Sequence, residues 1–261
     1  MRARLTSRRS CRARPQLQQF ARRRDEHQAA LFRNMIKVRG YKAHMFLVVD
    51  ETSKDERAMR RSFGYALRGQ TPIGASGLLD RGQRLSALCS FDVGGFVDYE
   101  LTEGTFDRET FLDAAERVIV RVPRVTARPT AVLLPVAVVH VRSRPHTLTT
   151  RASAQCDHIT PFPGPRSIVL IDNASIHRSV RLMEAVNARG GMLMFTPPYC
   201  WDLTPLDNNA FGLVKRWLQD RSTLLKAMPN YTFRGAFELA LQHAVTPSGA
   251  RQCFHRCLYE F

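Results

Sequence analysis

Long apolar segments are missing from this chain of 261 residues. The longest run, Ala131–Val139, is interrupted by Pro135 and is far shorter than the roughly 20 residues that a bilayer-spanning helix needs. The sequence also lacks a GxxxxGKS/T phosphate loop and a GxSxG nucleophile turn. We therefore expect no membrane helix, and nothing in the sequence supports nucleotide hydrolysis or serine esterase chemistry.

Acidic residues are scarce, since 23 Asp and Glu stand against 39 Lys and Arg, which gives a formal net charge of +16 at pH 7. This balance points to a polyanionic partner. The excess is concentrated in residues 1–40, where twelve basic residues accompany only two acids. Three interpretations of this basic arm stay open: contact with phosphates, a transit-like targeting segment, or a solvated tail.

The six cysteines are scattered along the chain, and no secretory signal precedes them. A chain of this length buries enough apolar surface to fold without disulfides, as one large or two small domains. We therefore expect reduced thiols in an intracellular protein.

Hydrophobic periodicity predicts an α/β fold. Short apolar runs rich in β-branched residues indicate buried strands, and spacings of three and four residues indicate amphipathic helices. The predicted strands are Met45–Asp50, a hairpin of Arg84–Phe91 and Gly95–Leu101 beside it, Ser167–Asp172 and Met192–Thr196. The predicted helices are Pro15–Val38, Asp107–Val120, Ser175–Arg189 and one that runs from Pro205 to about Asp220.

Residues 122–158 differ from the rest of the pattern. They contain four of the fourteen prolines, five arginines and a single acid, Asp157, and they show neither clear helical nor clear strand periodicity. We interpret this segment as an insertion that loops out of the sheet. A retained intron is one hypothesis for its origin.

Three aspartates occupy positions where elements of an α/β fold meet. Asp50 and Asp172 end predicted strands, and Asp207 lies in the first turn of a predicted helix. Carboxylates that converge at a sheet edge need a compensating cation, because like charges raise one another's pKa. Mg²⁺ or Mn²⁺ suits such oxygen ligands, and two ions about 3.5–4 Å apart promote phosphodiester hydrolysis. Helix capping and strand-end positions are the alternative explanation for these acids.

The residues around these aspartates resemble the catalytic domain of mariner-like transposases of the DDE/D superfamily. Between Asp172 and Asp207 lie 34 residues, which is the spacing of the mariner branch. The resemblance covers roughly residues 20–121 and 159–258. Its motifs are Phe46–Ser53, Arg60–Tyr65 with Arg68, Arg81–Ser86, Ser167–His177, Phe195–Tyr199, Asp202–Asp207 and Phe211–Leu218.

The resemblance implies a ribonuclease H-like fold, a mixed five-stranded sheet with helices on both faces, that binds two Mg²⁺ or Mn²⁺ ions. Asp50, Asp172 and Asp207 would be its catalytic, metal-binding residues. Glu51, Asn173 and His177 match motif positions near the site and receive supporting roles. A satisfied histidine at a helix start is the alternative for His177.

Basic residues near the motifs are candidate DNA contacts, and a solvated loop face is the alternative for each. The candidates are Arg60, Arg61, Arg68, Arg81, Arg84, Lys215 and Arg216.

The chain departs from the family pattern at several points. Thr204 stands where Asn is usual and Trp201 where Pro is usual, so the loop that places Asp207 is expected to differ. Residues 1–44 are too short for the usual pair of helix-turn-helix modules. We therefore divide the chain into a basic arm and helix, 1–44, and a catalytic domain, 45–258, that contains the insertion.

The expected function is that of a truncated transposase, a metal-dependent DNA endonuclease and strand transferase acting on transposon phosphodiesters. The alternative is a catalytically inactive DNA-binding remnant or a domesticated interaction protein. The expected partners are DNA and, as a possibility, a second copy of the chain, with no membrane and no small-molecule cofactor. A DNA substrate implies nuclear residence, although the arginine-rich arm leaves organelle targeting open.

Overall fold

The computed structural model describes residues 23–60, 67, 82–120, 158–257 and 259. Residues 1–22 of the basic arm and nearly all of the 122–158 segment therefore lie outside the described residues. The predictions made for those two segments remain predictions.

Five strands form one mixed sheet in the order β3-β2-β1-β4-β5. The first three strands pair antiparallel, and β1, β4 and β5 run parallel. This arrangement confirms the predicted α/β class and the five-stranded sheet that the resemblance implied. The strands are β1 (Phe46–Lys54), β2 (Leu85–Asp92), β3 (Gly95–Glu103), β4 (Ile168–Ile171) and β5 (Met192–Phe195).

Six α-helices accompany the sheet in the described part of the chain. The last two were not singled out by the sequence pattern. The helices are α1 (Glu26–Val38), α2 (Arg108–Ile119), α3 (Val180–Asn187), α4 (Phe211–Lys226), α5 (Phe233–His243) and α6 (Pro247–Arg256).

The sheet is covered on both faces because successive side chains of a strand point to opposite sides. In β1, Phe46 and Val48 join a hydrophobic cluster with α1, α4, α5 and α6. Leu47 and Val49 join a second cluster with α2 and α3. The four-helix face is called face A below, and the two-helix face is called face B.

Local signals explain where several elements begin and end. The Asp25 carboxylate accepts hydrogen bonds from two backbone N–H groups at the start of α1, and Asp107 forms a reciprocal capping box with Thr110 at the start of α2. After α1, Gly40 has a φ of +67°, a conformation that favours glycine and ends the helix, as predicted.

Several predicted boundaries were wrong. The helix predicted over Pro15–Val38 is not continuous, because α1 begins at Glu26 after the extended, capping Asp25. β1 continues to Lys54 instead of ending at Asp50, because residues 51–54 keep pairing with β2. The helix expected from Ser175 is a 3₁₀ turn, Ser175–His177, followed by α3 from Val180, since the turn carries His177 inward. α4 extends to Lys226, beyond Asp220, because Leu225 still packs into the core.

The residues that flank the 122–158 segment belong to one core cluster. Val120, just after α2, is 5 % exposed, and Ile159 is 3 % exposed. Both residues belong to the face B cluster. The two ends of the excursion are therefore fixed by packing against a common set of side chains.

The cysteines that the structure describes are Cys89, Cys200, Cys253 and Cys257, and each is a buried free thiol. Burial raises the pKa of the Cys89 thiol well above its ordinary value. A buried thiol with a raised pKa carries little reactive thiolate at neutral pH.

Among the described residues no helix combines the length and apolar character needed to cross a bilayer.

Candidate active site

Strand register brings Asp50 and Asp172 side by side. Val49 of β1 pairs with Ile171 of β4 in parallel register. Asp50 directly follows Val49, and Asp172 directly follows Ile171. Neighbouring strands lie about 4.8 Å apart. Alternation along each strand places both carboxylates on face A, at the carboxyl edge of the parallel pair.

Asp207 reaches the same edge from the start of the α4 segment. Residues Leu206–Ala210 form a single π turn that leads directly into α4. The first and last residues of the turn, Leu206 and Ala210, are fully buried in the core. The π turn thus holds Asp207 against β1, and turns of this kind occur frequently at functional sites.

The carboxyl groups of Asp50 and Asp207 influence each other, and the charge of Asp172 raises the pKa of both. Burial, followed by the negative charges of Asp207 and Asp172, raises the pKa of Asp50 well above its ordinary value. The Asp50 side chain accepts a hydrogen bond from the Glu51 backbone N–H at 2.8 Å through Oδ1, while its buried Oδ2 has no partner. Burial also raises the pKa of Asp207, which lies within hydrogen-bonding reach of Asp50. The site therefore concentrates negative charge that its own residues do not fully neutralise.

His177 connects Asp172 to Glu51. Its ring Nδ1 forms an ion pair with Asp172, its Nε2 lies 3.1 Å from Glu51 Oε1, and the ring stacks on Phe111 with centroids 4.4 Å apart. Burial alone would lower the pKa of His177, but the bonds to the two carboxylates outweigh it and raise that pKa to about 9. Burial opposes ionisation of Asp172, yet the His177 contact prevails and lowers the pKa of Asp172.

This bridge predicts a pH dependence of stability. The pKa of His177 is raised, so its contribution is fully present below about pH 6.5 and is lost as pH rises through about 9. We expect the free energy of unfolding to fall by on the order of 2–3 kcal/mol over that window. Denaturant titrations of wild type and His177→Gln at several pH values measure it. An equal slope in both proteins would contradict the bridge as its source.

The fit of a divalent cation can be judged from the residues present. As placed in the described ranges, no three carboxylate, imidazole or thiolate groups are arranged so that they could hold a metal ion. Asp172 is occupied by His177, whereas Asp50 Oδ2 is buried, unpartnered and beside a second carboxylate. The oxygen donors and their shared charge suit Mg²⁺ or Mn²⁺, so the residues fit such an ion once Asp172 turns from His177.

A cleft of about 350 Å³ opens directly beside the carboxylates. Asp172 and Asp207 line one side of it, and the exposed ring of Tyr199 and the partly exposed Trp201 line another. Asn173 also lines the cleft, and its side-chain oxygen accepts a hydrogen bond from Arg178 Nε at 2.8 Å. We call the sheet edge that carries Asp50, Asp172 and Asp207 the acidic edge. The cleft beside it is open to a ligand that has both phosphate groups and aromatic rings.

Helix α1 holds the loop that leads to Asp207. Asp202, five residues before Asp207, accepts hydrogen bonds from Arg24, whose side chain is 3 % exposed, and from Arg33 Nη2 at 2.8 Å. Two guanidinium groups on one carboxylate make charge-assisted contacts of the stronger kind. Arg24, just before α1, and Arg33 within it thereby tie this part of the chain to the segment that leads to Asp207.

Removing this tie is expected to destabilise the protein. Asp202→Ala removes the carboxylate that Arg24 and Arg33 share and leaves Arg24 with the exposed Glu26 alone, so we expect a loss of about 1–3 kcal/mol in the free energy of unfolding. Chemical denaturation measures it. Asp113→Ala, which removes an exposed partner of Arg181, is the matched control and is expected to leave the free energy of unfolding nearly unchanged. Equal losses in the two variants would contradict a special role for Asp202.

The candidate DNA contacts are placed unevenly. Arg84 and Lys215 line a second cleft, about 670 Å³ in volume, together with Lys54 and Arg57. The structure does not bring Arg60 or the exposed Arg216 into the lining of that cleft. Arg61, Arg68 and Arg81 lie outside the described residues.

Sequence reasoning missed two contributors to this region. Lys54 was assigned to a loop because β1 was ended too early, although it follows Asp50 at the four-residue interval that keeps it on the same face of a strand. Asp202 carried no sequence signal of its role, since its arginine partners are 178 and 169 residues away.

Comparison with known proteins places these features in context. The family model described as DDE superfamily endonuclease matches residues 45–227. Comparison with curated protein sequences gives no match.

Three solved structures are among those similar to this chain. The crystal structure of a pre-cleavage Mos1 transpososome is 14% identical, with 96% of this chain and 68% of that chain covered and a TM-score of 0.46. The crystal structure of the Mos1 strand transfer complex is 14% identical over the same shares, with a TM-score of 0.48. The crystal structure of the catalytic domain of Mos1 mariner transposase is 13% identical, covering 90% and 93% of the two chains, with a TM-score of 0.41.

Proposed function

Because the chain belongs to the DDE superfamily endonucleases, as its motifs indicate, we propose that it is a metal-dependent DNA endonuclease with Asp50, Asp172 and Asp207 as catalytic residues. The observation that carries the proposal is the raised pKa of Asp50 and of Asp207 beside the Asp172 charge at one sheet edge, where Asp50 keeps a buried, unpartnered oxygen. A protein that concentrates unneutralised charge loses stability by it, and binding of a cation is the function that this arrangement serves.

The residues of the site have separate tasks in this proposal. Asp50, Asp172 and Asp207 would hold one or two divalent cations, which when bound would polarise a water and offset charge developing on the phosphodiester. The Glu51 backbone N–H fixes the Asp50 carboxylate by its hydrogen bond to Oδ1. His177 and Glu51 act as positioning residues, because they hold Asp172 at the edge while the cation is absent.

The finer proposal is a transposase. The same edge that activates water for cleavage can activate a 3′-hydroxyl of the cut strand for attack on a second phosphodiester, which is strand transfer. The aromatic cleft beside Asp172 and Asp207 supports a nucleic acid substrate, since Tyr199 and Trp201 offer ring faces on which unstacked bases can pack. Transposon DNA as the substrate, a homodimer as the acting form and nuclear residence complete this proposal.

A catalytically inactive DNA-binding remnant is the second candidate. It is favoured by one observation, the ion pair between His177 and Asp172, which engages one of the three carboxylates. In that case the positive charge of the chain would retain DNA, and the acidic edge would not cleave it.

Nicking of supercoiled plasmid by the purified chain separates the two candidates. We expect conversion to open circles in Mn²⁺ or Mg²⁺ and none in EDTA. A folded preparation that retains DNA in a salt-sensitive way, does not nick it and binds no Mn²⁺ by calorimetry would overturn the endonuclease proposal. That result would support the inactive DNA-binding remnant.

A further inference from the structure

Two rows of side chains run away from the acidic edge on face A. Along β1, residues Asp50, Thr52 and Lys54 share one side of the strand because they are two positions apart. On the facing segment, Asp207 is followed eight residues later by Lys215 on α4. Lys54 interacts electrostatically with both Lys215 and Asp207, so the rows face each other. The two rows therefore have Asp50 and Asp207 at one end and Lys54 and Lys215 at the other.

The basic end opens into the 670 Å³ cleft. Lys54, Arg57, Arg84 and Lys215 line it with four positive charges, and Asp55 contributes the one negative charge of the lining. Asp55 is ion-paired with Arg57 at 2.5 Å, so it does not neutralise the two lysines. The cleft therefore presents a net positive surface next to the acidic one.

Lys54 and Lys215 line the same cleft, and neither forms an ion pair with a described carboxylate. Lys54 is partly buried and its Nζ donates to Thr52 Oγ1 at 2.8 Å, a neutral partner. No ion pair of Lys54 or Lys215 occurs within the described ranges. Burial, followed by the neighbouring Lys215 charge, lowers the pKa of Lys54, and the charge of Asp207 offsets this only in part. An anion placed between the ammonium groups would remove that cost.

We propose that Lys54 and Lys215, with Arg84 at the rim, form a phosphate subsite that receives the backbone of the DNA strand leaving the acidic edge. The proposal rests on the proposed endonuclease function and adds the path of its substrate. Lys54 lies four positions beyond Asp50 along β1, which is about 13 Å at the usual rise. A phosphate held by the lysines would therefore lie a few nucleotides from the phosphate at the acidic edge. Neither lysine would touch the reacting atoms, so both are positioning residues.

The spatial order explains why a nucleic acid backbone fits better than a lone anion. A strand carries phosphates at regular intervals, so one can meet the cations of the acidic edge while another meets the lysine pair. Contacts of this kind fix the register of a strand without reading its sequence. Each contact also releases counterions, which makes the affinity fall with salt concentration.

The test measures DNA affinity at a series of KCl concentrations in EDTA, by fluorescence anisotropy with the full chain and a labelled duplex. We expect Lys54→Gln/Lys215→Gln to weaken binding about tenfold at low salt and to reduce the slope of log affinity against log salt by about 2, near 0.9 per lost phosphate contact. Lys54→Arg/Lys215→Arg is expected to retain the wild-type slope.

Arg108→Gln/Arg251→Gln is the matched control, since it removes two positive charges from exposed positions on α2 and α6, outside the cleft and outside the basic arm. An equal change of slope in this control, or a wild-type slope in the lysine double variant, would overturn the subsite. Should the double variant fail to fold, the exposed Lys215→Gln alone is expected to reduce the slope by about 1, and an unchanged slope would again overturn it.

Two further readouts separate this proposal from the endonuclease itself. Mn²⁺ calorimetry of the lysine double variant is expected to match wild type, because the carboxylates are untouched, and a lost Mn²⁺ signal would contradict a separate phosphate subsite. A wild type that never nicks DNA but shows the lysine-dependent slope would refute the endonuclease and keep the subsite. Nicking by wild type, together with a wild-type salt slope in the lysine double variant, would support the endonuclease and refute the phosphate subsite.

Discussion

Asp172→Asn is expected to abolish Mn²⁺ binding in calorimetry and to lower plasmid nicking by about 10³-fold or more. An amide cannot neutralise a divalent cation, and loss of one electrostatic contact at a reacting centre already costs about 10²–10³ in rate. The side chain of Asp172 is 44% exposed, so the substitution leaves the core intact. Nicking and calorimetry on the same preparation provide the measurement.

The control for this result is Asp113→Asn, an exposed acid on α2 that pairs with Arg181. It removes one negative charge from the surface and is expected to change neither Mn²⁺ binding nor nicking. A folded Asp172→Asn protein that still nicked at the wild-type rate would refute Asp172 as a catalytic residue. Wild-type Mn²⁺ affinity in that variant would refute it as a ligand.

Asp50→Asn is expected to stabilise the metal-free protein. The introduced side-chain amide can accept the Glu51 N–H bond and donate toward Asp207, so a repulsive contact becomes a hydrogen bond. We expect a gain of about 2 kcal/mol at neutral pH, or a rise in Tm of roughly 4–8 °C. Calorimetric or circular dichroism melts in EDTA measure this gain.

The pH dependence of that gain has a definite sign. The folded-state pKa of Asp50 is raised, so its ionisation destabilises the fold increasingly as pH rises above the unfolded value of about 3.8. The advantage of Asp50→Asn therefore shrinks as the pH falls toward that value. Saturating Mn²⁺ should reverse the order, because only wild type keeps the full ligand set. A destabilised Asp50→Asn protein in EDTA would show that the Asp50 charge is compensated by groups other than a cation.

Most of the sheet could be predicted because its strands carry their own signals. The runs at β1 and β4 are short, apolar and β-branched, and the hairpin of β2 and β3 turns at adjacent glycines. Boundaries set by tertiary contacts could not be read in the same way. β1 extends past Asp50 because β2 pairs with it, and α4 extends past Asp220 because the core accepts Leu225.

The candidate site was predictable to the extent that it follows from strand ends. Asp50 and Asp172 could be placed at one edge from alternation and parallel order alone, and Asp207 from its position in a helix start. The contacts of His177 depend on Glu51, 126 residues away, and the hold on Asp202 depends on α1. Such partners share no local pattern, so the sequence allowed supporting roles for His177 and Glu51 without indicating how they act.

The packing of Val120 and Ile159 into one cluster bears on how this gene tolerates change in length. The two residues pack against common side chains, and a flexible connection between two such fixed points costs a closure entropy that depends on the number of residues in it. That entropy grows logarithmically, by about 0.6 kcal/mol for each doubling. Selection for stability therefore acts weakly on segment length, and sequence gained at this point of the gene can persist while the two anchors stay buried.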